Sequence, residues 1–464
     1  MVFSSTEFLF IFFPIVILLY FNPLLKKFKK SERKIKNAIM LIASLVFYAW
    51  GEPRFVFIML GSIFVNWIFG LLIDKYNDFF GKRKAVLVIS IIFNLSLLFV
   101  FKYLAFTLNN LGVDISIALP IGISFFTFHI MSYIFDLYKR KTGVQKNILK
   151  LALYISMFPQ LVAGPIVRYE TVAASLSERK ETPEDFTAGL SRFVFGLGKK
   201  LILSNYFAVV ADNIFGSPVQ ISVAAAWLGA ICYTLQIFFD FSGYSDMAIG
   251  MARMFGFRFL ENFNYPYIAK SITDFWRRWH MSLSSWFRDY LYIPLGGNRK
   301  GKARQILNLL IVWFLTGFWH GANWTFMCWG LLYFVLLVFE KTTHFPEKIK
   351  FFSHIYTMFF VILAWVLFRS DNIGTAGNYI ASMFGISGGN LVDPIFFVHF
   401  FSIKWVLLVG ILLCAPIVPF IRDKLFKNEK SRDVIKSLGV LAVFVLAILL
   451  AIKSTYNPFI YFNF

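Results

Sequence analysis

Apolar segments of membrane-spanning length recur along almost the whole chain, and this feature constrains the fold more than any other. A helix needs about 20 apolar residues to cross the roughly 30 Å hydrocarbon layer of a bilayer. Apolar segments close to that length recur between residues 8 and 452. The 464 residues are 58% hydrophobic and 15% charged, which is more apolar surface than a soluble core can bury. We therefore expect an all-α polytopic membrane protein with one membrane domain over residues 1–464.

Basic residues concentrate in short loops between the apolar segments. The formal net charge is +21, but this distribution follows the positive-inside rule and does not predict nucleic-acid binding. Loops at residues 26–36, 75–84, 139–150, 341–350 and 422–436 are basic, whereas the loops at residues 51–54 and 107–116 carry almost no positive charge. The alternation predicts that the basic loops are cytoplasmic and that both termini lie outside a bacterial cytoplasmic membrane.

The first half of the chain predicts seven spans and one irregular segment. The predicted spans are residues 8–21, 37–50, 55–73, 85–106, 117–138, 193–214 and 224–249. Residues 151–167 are apolar but contain Pro159, Gly164 and Pro165, which favours a broken or re-entrant segment buried in protein. Residues 168–192 are predicted to form a cytoplasmic loop.

Residues 251–304 differ from the rest because they are rich in aromatic residues, Arg, Pro and Gly without a long apolar run. They predict a cytoplasmic-side cap of short interfacial helices. Residues 306–340 predict a helical hairpin whose turn lies at residues 319–323. A limb of about 13 residues reaches only about 20 Å, so we expect this turn near mid-membrane depth. The remaining spans are predicted at residues 352–368, 401–419 and 434–452, with an outside loop at residues 369–398.

Two of the six histidines, His280 and His320, lie in dense polar and aromatic settings. His320 falls at the predicted tip of the hairpin, where burial would keep its imidazole neutral and able to accept a proton. A general base of this kind could help a hydroxyl group attack an acyl thioester. The alternative is a histidine that packs between helices and forms a hydrogen bond across the bundle.

Three runs of sequence resemble the signature of the membrane-bound O-acyltransferases, in particular the alginate O-acetyltransferase branch. They are DFWRRWH at residues 274–280, SWFRDYLYIPLGGNR at 285–299 and WHGANW at 319–324. The similarity continues at residues 158–165 and 240–246 and in the aromatic tail at 459–464. The resemblance implies about eleven or twelve membrane-spanning helices around a funnel or tunnel, with His320 as the catalytic histidine and His280 at the second signature position. We expect His280 to be a second catalytic residue that assists by positioning or polarising the thioester.

The resemblance also implies a cytoplasmic acyl-thioester donor, acetyl-CoA or another thioester, and an acceptor outside. Arg277, Arg278 and Arg288 lie in the predicted cap, where guanidinium groups could bind the donor phosphates, although the positive-inside bias also places arginines there. Trp276, Trp279 and Trp286 could line the donor channel or anchor the chain at the membrane interface.

Three further polar residues near these motifs have more than one interpretation. Asn323 could orient His320, bind substrate or cap the second limb of the hairpin. Asp240 and Asp246 fall along or at the end of a span, where an unpaired carboxylate is costly. We expect them to have structural roles, with Asp240 paired to an arginine of the cap. No metal site or resident cofactor is predicted, and the three cysteines lack ligand spacing.

The predicted function is O-acetylation of an extracytoplasmic cell-envelope polysaccharide. Peptidoglycan, an alginate-like exopolysaccharide and a wall or capsular glycan all remain open as acceptors. By family analogy, a separate SGNH-type esterase could complete the transfer to the glycan. The alternatives are a D-alanyl transferase acting on teichoic acid and a non-enzymatic transporter of acyl groups or lipid-linked sugars.

Overall fold

Helices form all the regular secondary structure in the part of the chain that the computed structural model describes, which is residues 1–425, 428–453, 456–458 and 460. Of the aromatic tail at 459–464 only Ile460 is described, and residues 426 and 427 of the basic loop at 422–436 also lie outside the described residues. The α-helices are α1 (Phe13–Tyr20), α2 (Glu32–Gly51), α3 (Phe55–Lys75), α4 (Phe80–Leu98), α5 (Leu104–Asn110), α6 (Ile123–Tyr138), α7 (Ile148–Ser156), α8 (Phe158–Leu161), α9 (Tyr169–Val172), α10 (Pro183–Gly198), α11 (Asn205–Phe215), α12 (Val223–Met254), α13 (Ile272–Arg278), α14 (Met281–Phe287), α15 (Gly301–His320), α16 (Trp324–Thr343), α17 (Phe345–Ile349), α18 (Ser353–Arg369), α19 (Ile373–Met383), α20 (Pro394–Leu413), α21 (Ile417–Leu425) and α22 (Glu429–Lys453). The prediction of an all-α fold is confirmed.

Eight helical stretches in the described residues are long and apolar enough to cross a membrane, which confirms a multi-pass membrane protein. They are Phe55–Lys75, Phe80–Asn110, Pro183–Phe215, Val223–Met254, Trp324–Thr343, Phe345–Arg369, Pro394–Leu413 and Glu429–Lys453. The stretches Phe8–Tyr20 and Pro23–Gly51 form a bent pair that would make a ninth span, with an angle of 54° at the break.

The number of such stretches is smaller than the family resemblance implies, for two physical reasons. Helix α6 has only 16 residues, too few for a full span. Helix α15 has 20 residues, but Arg304, Gln305 and Asn308 in its first half lower its apolar character. Gln305 and Asn308 are buried in the protein, so neighbouring parts of the protein shield these polar side chains of α15.

The chain divides into two compact units, and it crosses between them inside α10, inside α12 and in the irregular stretch between α12 and α13. The first unit contains residues 1–193 and 244–260, and the second contains residues 194–243 and 261–460. At two of these crossings a continuous helix contributes residues to both units, so the hydropathy of the sequence shows no break there. The apolar pattern of the sequence therefore predicted a single domain.

In the first unit, helices α3, α4 and α6 pack against one another and α2 packs against α7. Every residue from 151 to 169 is buried, and the segment breaks after Ser156 and again after Leu161. This confirms the predicted broken, protein-buried segment. Helix α6 begins at Ile123, later than predicted, because Gly122 adopts a left-handed conformation with φ +77°.

The predicted loop at residues 168–192 is wrong in its second half, where α10 begins at Pro183. The Thr182 hydroxyl accepts a hydrogen bond from the Asp185 backbone N–H at 3.1 Å. Proline in the first turn of a helix and acidic residues beside it are both favourable there, and Glu184 and Asp185 provide the acidic residues. The Thr-Pro-Glu-Asp sequence is therefore a helix start that the apolar pattern hid.

The predicted loop at residues 369–398 is also partly helical, since it contains α19 and the start of α20. Asn372 caps α19 by accepting a hydrogen bond from the Thr375 N–H at 2.8 Å. Asp393 caps α20 by accepting one from the Phe396 N–H at 2.8 Å. Each helix starts where a side chain satisfies a backbone N–H that has no partner within the helix.

Residues 251–304 belong to the first unit up to residue 260 and to the second unit beyond it. The second part forms the short helices α13 and α14, as expected for a segment without a long apolar run. Phe275, Trp276, Trp279 and Trp286 are buried. Helix α13 packs against α16 and α18, so its aromatic rings contribute to the protein interior, and the position of this segment at the cytoplasmic side stays a prediction.

Helices α15 and α16 of the second unit form the hairpin, and both limbs are longer than predicted. Each has 20 residues, which corresponds to about 30 Å at the usual rise per residue. The length argument that placed the turn near mid-membrane depth is therefore wrong. Gly317 and Gly330 allow close packing, because a Cβ on Gly330 would collide with the Trp313 carbonyl oxygen and one on Gly317 with that of Phe326.

Candidate active site

The last residue of α15 is His320, and only Gly321, Ala322 and Asn323 separate it from α16. The Asn323 side-chain oxygen accepts a hydrogen bond from the Thr325 N–H at 3.1 Å, which caps α16. The Asn323 amide nitrogen donates to the Asp371 carbonyl oxygen at 2.6 Å. Of the roles predicted for Asn323, the capping role is the one that these contacts support.

Aromatic rings surround His320, which is only 3% exposed. The centroid of its imidazole lies 4.9 Å from the Trp319 ring, 5.0 Å from the Trp329 ring and 5.2 Å from the Phe368 ring. All three contacts are edge-to-face. A histidine in this setting is screened from bulk water by apolar groups.

His280 is also buried, at 1% exposed, and precedes α14 with a left-handed backbone, φ +44°. Its Nδ1 lies 3.1 Å from the Asn262 side-chain oxygen. The same oxygen accepts hydrogen bonds from the Ser282 N–H at 3.2 Å and the Ser282 hydroxyl at 2.8 Å. A backbone N–H can only donate, so the atom facing it must be the amide oxygen rather than the amide nitrogen.

This arrangement fixes the tautomer of His280. Nδ1 faces an acceptor and must carry the proton, so Nε2 carries the lone pair in the neutral imidazole. Nε2 is buried and has no hydrogen-bond partner in the described part of the chain. Burial lowers the pKa of His280 to about 3, so the ring is neutral at physiological pH and Nε2 can accept a hydrogen bond.

The second unit brings the two predicted catalytic histidines close to one tryptophan. The Trp319 ring centroid lies 6.2 Å from that of His280 and 4.9 Å from that of His320. The His280 ring also makes an edge-to-face contact with Phe241, 4.7 Å between centroids. Residues 40 positions apart in sequence therefore share one aromatic environment.

A cavity of about 180 Å³ lies beside this environment in the same unit. Trp276, Arg288, Trp313 and Thr316 are among its lining residues. The Trp276 indole N–H is buried and has no partner in the described residues. Trp276 contacts the Trp329 ring at 5.6 Å, and Trp329 in turn contacts His320, so one ring separates the cavity lining from the histidine.

The three predicted donor-binding arginines lie in different settings. Arg288 lines the cavity, and its side chain is 63% exposed while paired with Asp289 at 2.7 Å. Arg277 is exposed, and Arg278 pairs with Asp274 at 2.9 Å and donates to the Asn264 carbonyl oxygen. Neither Arg277 nor Arg278 lines the cavity.

Two of the three predicted channel tryptophans, Trp279 and Trp286, are buried but do not line this cavity. Trp279 packs against Phe263 at 5.0 Å and Trp365 at 4.9 Å. Trp286 packs against Tyr290 at 5.2 Å. Their contacts are those of aromatic packing residues, whereas the third predicted tryptophan, Trp276, lines the cavity.

The two predicted structural carboxylates form ion pairs in separate places. In the second unit, Asp240 pairs with Lys200 at 2.6 Å, and both side chains are almost fully buried. The partner is therefore a lysine that precedes α11 and not an arginine of the cap. In the first unit, Asp246 pairs with Arg192 at 2.8 Å.

Sequence reasoning missed Asn262, which holds His280 in its tautomer. The residue lies in the irregular stretch between α12 and α13 and is 1% exposed. A polar residue in an irregular segment gives no periodic signal, so its burial could be found only in three dimensions.

Comparison with known proteins relates this site to an enzyme family. Residues 123–373 match the model of the membrane-bound O-acyltransferase family. A probable alginate O-acetylase of Pseudomonas putida is 36% identical and covers 100% of both chains. A peptidoglycan O-acetyltransferase of Helicobacter pylori is 35% identical over 84% of this chain and 81% of its own. A teichoic acid D-alanyltransferase of Bacillus subtilis is 30% identical over 48% of this chain and 60% of its own.

Proposed function

This chain belongs to the membrane-bound O-acyltransferase family and is an O-acyltransferase, and on that premise we propose that it acts in the O-acetylation of an extracytoplasmic cell-envelope polysaccharide by taking an acetyl group from a thioester donor and passing it across the membrane. The relatives that match most of the chain are named for O-acetylation of alginate or of peptidoglycan, which supports a polysaccharide acceptor. The observation that carries the proposal is the pair of buried histidines, His280 and His320, whose ring centroids lie 6.2 Å and 4.9 Å from that of Trp319.

In the proposed reaction His320 acts as the general base. An imidazole nitrogen takes the proton of the acceptor hydroxyl while the hydroxyl oxygen attacks the carbonyl carbon of an acetyl thioester. The C–O ester bond forms, the C–S bond breaks, and the departing thiolate takes the proton from the imidazolium. The histidine returns to its starting state, and the products are an O-acetyl ester and a free thiol.

His280 contributes to positioning in this proposal. Its Nδ1 proton is directed at Asn262, so the neutral ring presents a lone pair at Nε2 and cannot polarise a carbonyl by donating a hydrogen bond. It can accept a hydrogen bond from a hydroxyl or amide N–H of a substrate. The tautomer therefore favours positioning over polarisation, the two roles considered for this residue.

Donor binding is assigned to the cavity that Arg288 and Trp276 line. A thioester such as acetyl-CoA or a carrier-bound acyl group has phosphates at one end and the acyl group at the other. An arginine at the exposed edge fits the phosphates, and the aromatic lining fits the apolar arm. Arg288 is the preferred phosphate contact because Arg277 and Arg278 do not line the cavity.

Acetyl transfer is preferred to D-alanyl transfer because of how much of the chain each relative matches. The D-alanyltransferase relative matches 48% of the chain, whereas the O-acetyltransferase relatives match 84% or more. A non-enzymatic transporter does not fit membership of an acyltransferase family. The proposal keeps a cytoplasmic donor and a separate SGNH-type esterase partner that passes the acetyl group to the glycan.

The test is acetyl transfer by the purified full-length protein in lipid nanodiscs. Acetyl-CoA labelled in the acetyl group would be supplied with oligosaccharides of peptidoglycan and of alginate, with and without an SGNH-type esterase. The proposal expects thiol release that depends on the protein and labelled ester on one of the glycans. Release of D-alanine from a charged carrier protein, with acetyl-CoA left intact, would contradict acetyl transfer and favour the alternative.

A further inference from the structure

A buried carboxylate on α16 binds the start of the helix that leads to His280. Glu340 is 6% exposed. Its Oε1 accepts a hydrogen bond from the Ile272 N–H at 2.6 Å, and its Oε2 accepts one from the Thr273 N–H at 3.0 Å. The Thr273 hydroxyl donates to Oε2 at 2.8 Å. One side chain therefore receives three hydrogen bonds from the first turn of α13.

The charge of Glu340 has no other strong partner in the described residues, because no Lys or Arg side chain forms an ion pair with it there. The first N–H groups of a helix lack partners within the helix and carry partial positive charge. A carboxylate that accepts two of them is fixed in direction as well as in distance. Ser271 completes the helix start by accepting from the Asp274 N–H at 2.9 Å.

Glu340 belongs to the face of α16 that also reaches His320. Trp329, Tyr333, Leu336 and Glu340 are all buried and recur at helical spacing, so they lie on one face. Trp329, at one end, packs on the His320 ring at 5.0 Å. Glu340 lies about 16 Å further along the helix axis at the usual rise per residue.

Helix α13 packs against this face of α16, and it ends just before His280. Trp276 contacts Tyr333 at 4.9 Å and Trp329 at 5.6 Å. Only Trp279 separates the last residue of α13 from His280. A shift of α13 along α16 would therefore move His280 and the cavity residue Trp276 together, relative to the hairpin that bears His320.

From these contacts we infer that Glu340 is a positioning residue, which fixes α13 and so His280 in register with His320. The inference rests on the proposed acyl transfer at that site. Glu340 itself touches neither histidine and is not a catalytic residue. Its effect on the rate passes through His280, because displacements of about 1 Å far from the chemistry can reduce a rate roughly a hundredfold.

The test combines Glu340→Gln with His280→Gln. A glutamine keeps the size but directs an amide NH₂ group at one of the α13 N–H groups, which replaces an acceptor with a donor. We expect the turnover number for acetyl transfer to fall at least tenfold in the wild-type background and by less than twofold in the His280→Gln background. Glu347→Gln, an exposed carboxylate on α17, is the matched control and should leave turnover unchanged.

Equal losses in both backgrounds, or no loss in the wild-type background, would overturn the inference. If Glu340→Gln does not accumulate, Thr273→Val removes one of the three bonds and keeps the carboxylate. The turnover number should fall less in Thr273→Val than in Glu340→Gln, and this loss should likewise disappear in the His280→Gln background.

Hydrogen exchange at the amides of Ile272 and Thr273 should be faster in Glu340→Gln than in the wild type. An unchanged exchange rate would show that Glu340 does not hold the start of α13. This measurement needs no acetyl transfer, so it separates failure of the anchor from failure of the proposed function.

Discussion

Two buried regions of this protein each contain histidine, and their surroundings differ. In the first unit His129 lies on α6, where its Nε2 accepts a hydrogen bond from the Val167 N–H at 3.4 Å. The Tyr154 hydroxyl donates to the His129 carbonyl oxygen at 3.1 Å. In the second unit His280 and His320 lie among aromatic rings beside a cavity, and the Nε2 of His280 is not used by the fold.

The difference separates His129, which supports the backbone, from His280, whose Nε2 has no hydrogen-bond partner in the described residues. Val167 lies in the irregular, fully buried stretch after α8, where backbone groups cannot pair within a helix. A buried N–H without a partner is costly, and the His129 imidazole satisfies one. The Nε2 of His280 forms no hydrogen bond with a backbone group of the described residues. The need to satisfy a buried N–H, which explains the burial of His129, therefore does not explain why this nitrogen is buried.

The largest contrast is expected between His280→Gln and His129→Gln. Loss of the positioned imidazole should lower the turnover number of His280→Gln by roughly a hundredfold at normal abundance. His129→Gln should lower abundance and thermal stability while the remaining protein keeps its turnover number. Turnover per folded molecule, measured after size-exclusion chromatography, separates the two effects. Equal turnover losses in both variants would remove the distinction between the two regions.

A smaller loss is expected from Asn262→Leu, which removes the acceptor that fixes the Nδ1 proton of His280. The ring can then adopt either tautomer. Turnover should fall about tenfold, which is the usual size of effect when a residue that orients a functional histidine through a hydrogen bond is removed. Asn378→Leu, at an exposed position on α19, is the control. Wild-type turnover in Asn262→Leu would show that the tautomer does not matter.

A change in donor affinity is expected from Arg288→Ala, because Arg288 lines the cavity. The KM for acetyl-CoA should rise about tenfold, as expected for loss of one or two charge-assisted hydrogen bonds. Arg277→Ala removes the same charge from an exposed site outside the cavity and should change this KM much less. Equal increases in the two variants would indicate a general electrostatic effect.

The smallest expected effect is on the dependence of stability on pH. Burial lowers the pKa of His280 to about 3, while in the unfolded chain it is near 6.5. The unfolded state therefore binds the proton first, and this contribution to stability is complete above pH 6.5 and is lost as the pH falls towards 3. The thermal midpoint of the wild type should decrease more steeply over that interval than that of His280→Gln. Identical slopes would contradict a buried neutral His280.

The sequence predicted the membrane class, the helical hairpin at WHGANW and the family, because each depends on local composition or on a continuous motif. The start of α10 at Pro183 was missed although Thr182, Glu184 and Asp185 mark it, because the apolar pattern begins ten residues later at Phe193. This error was avoidable, since capping residues are a signal independent of hydropathy.

Asn262 and Glu340 could not be identified in that way. Asn262 is 18 residues from His280 and Glu340 is 68 residues from Ile272, and no periodic pattern links them. The sequence also placed a paired arginine beside Asp240, where the fold provides Lys200. Long-range polar partners depend on how helices pack, which a single sequence does not encode locally.

The measurement that tests the central claim most directly is turnover of labelled acetyl-CoA by purified His320→Gln in nanodiscs. His344→Gln, an exposed histidine at the end of α16, is the matched control. The account predicts that His320→Gln accumulates and binds the donor as the wild type does but loses roughly 10² to 10⁴ of the transfer rate, while His344→Gln retains it. Transfer at the wild-type rate by a folded His320→Gln protein would contradict the assignment of His320 as the catalytic base.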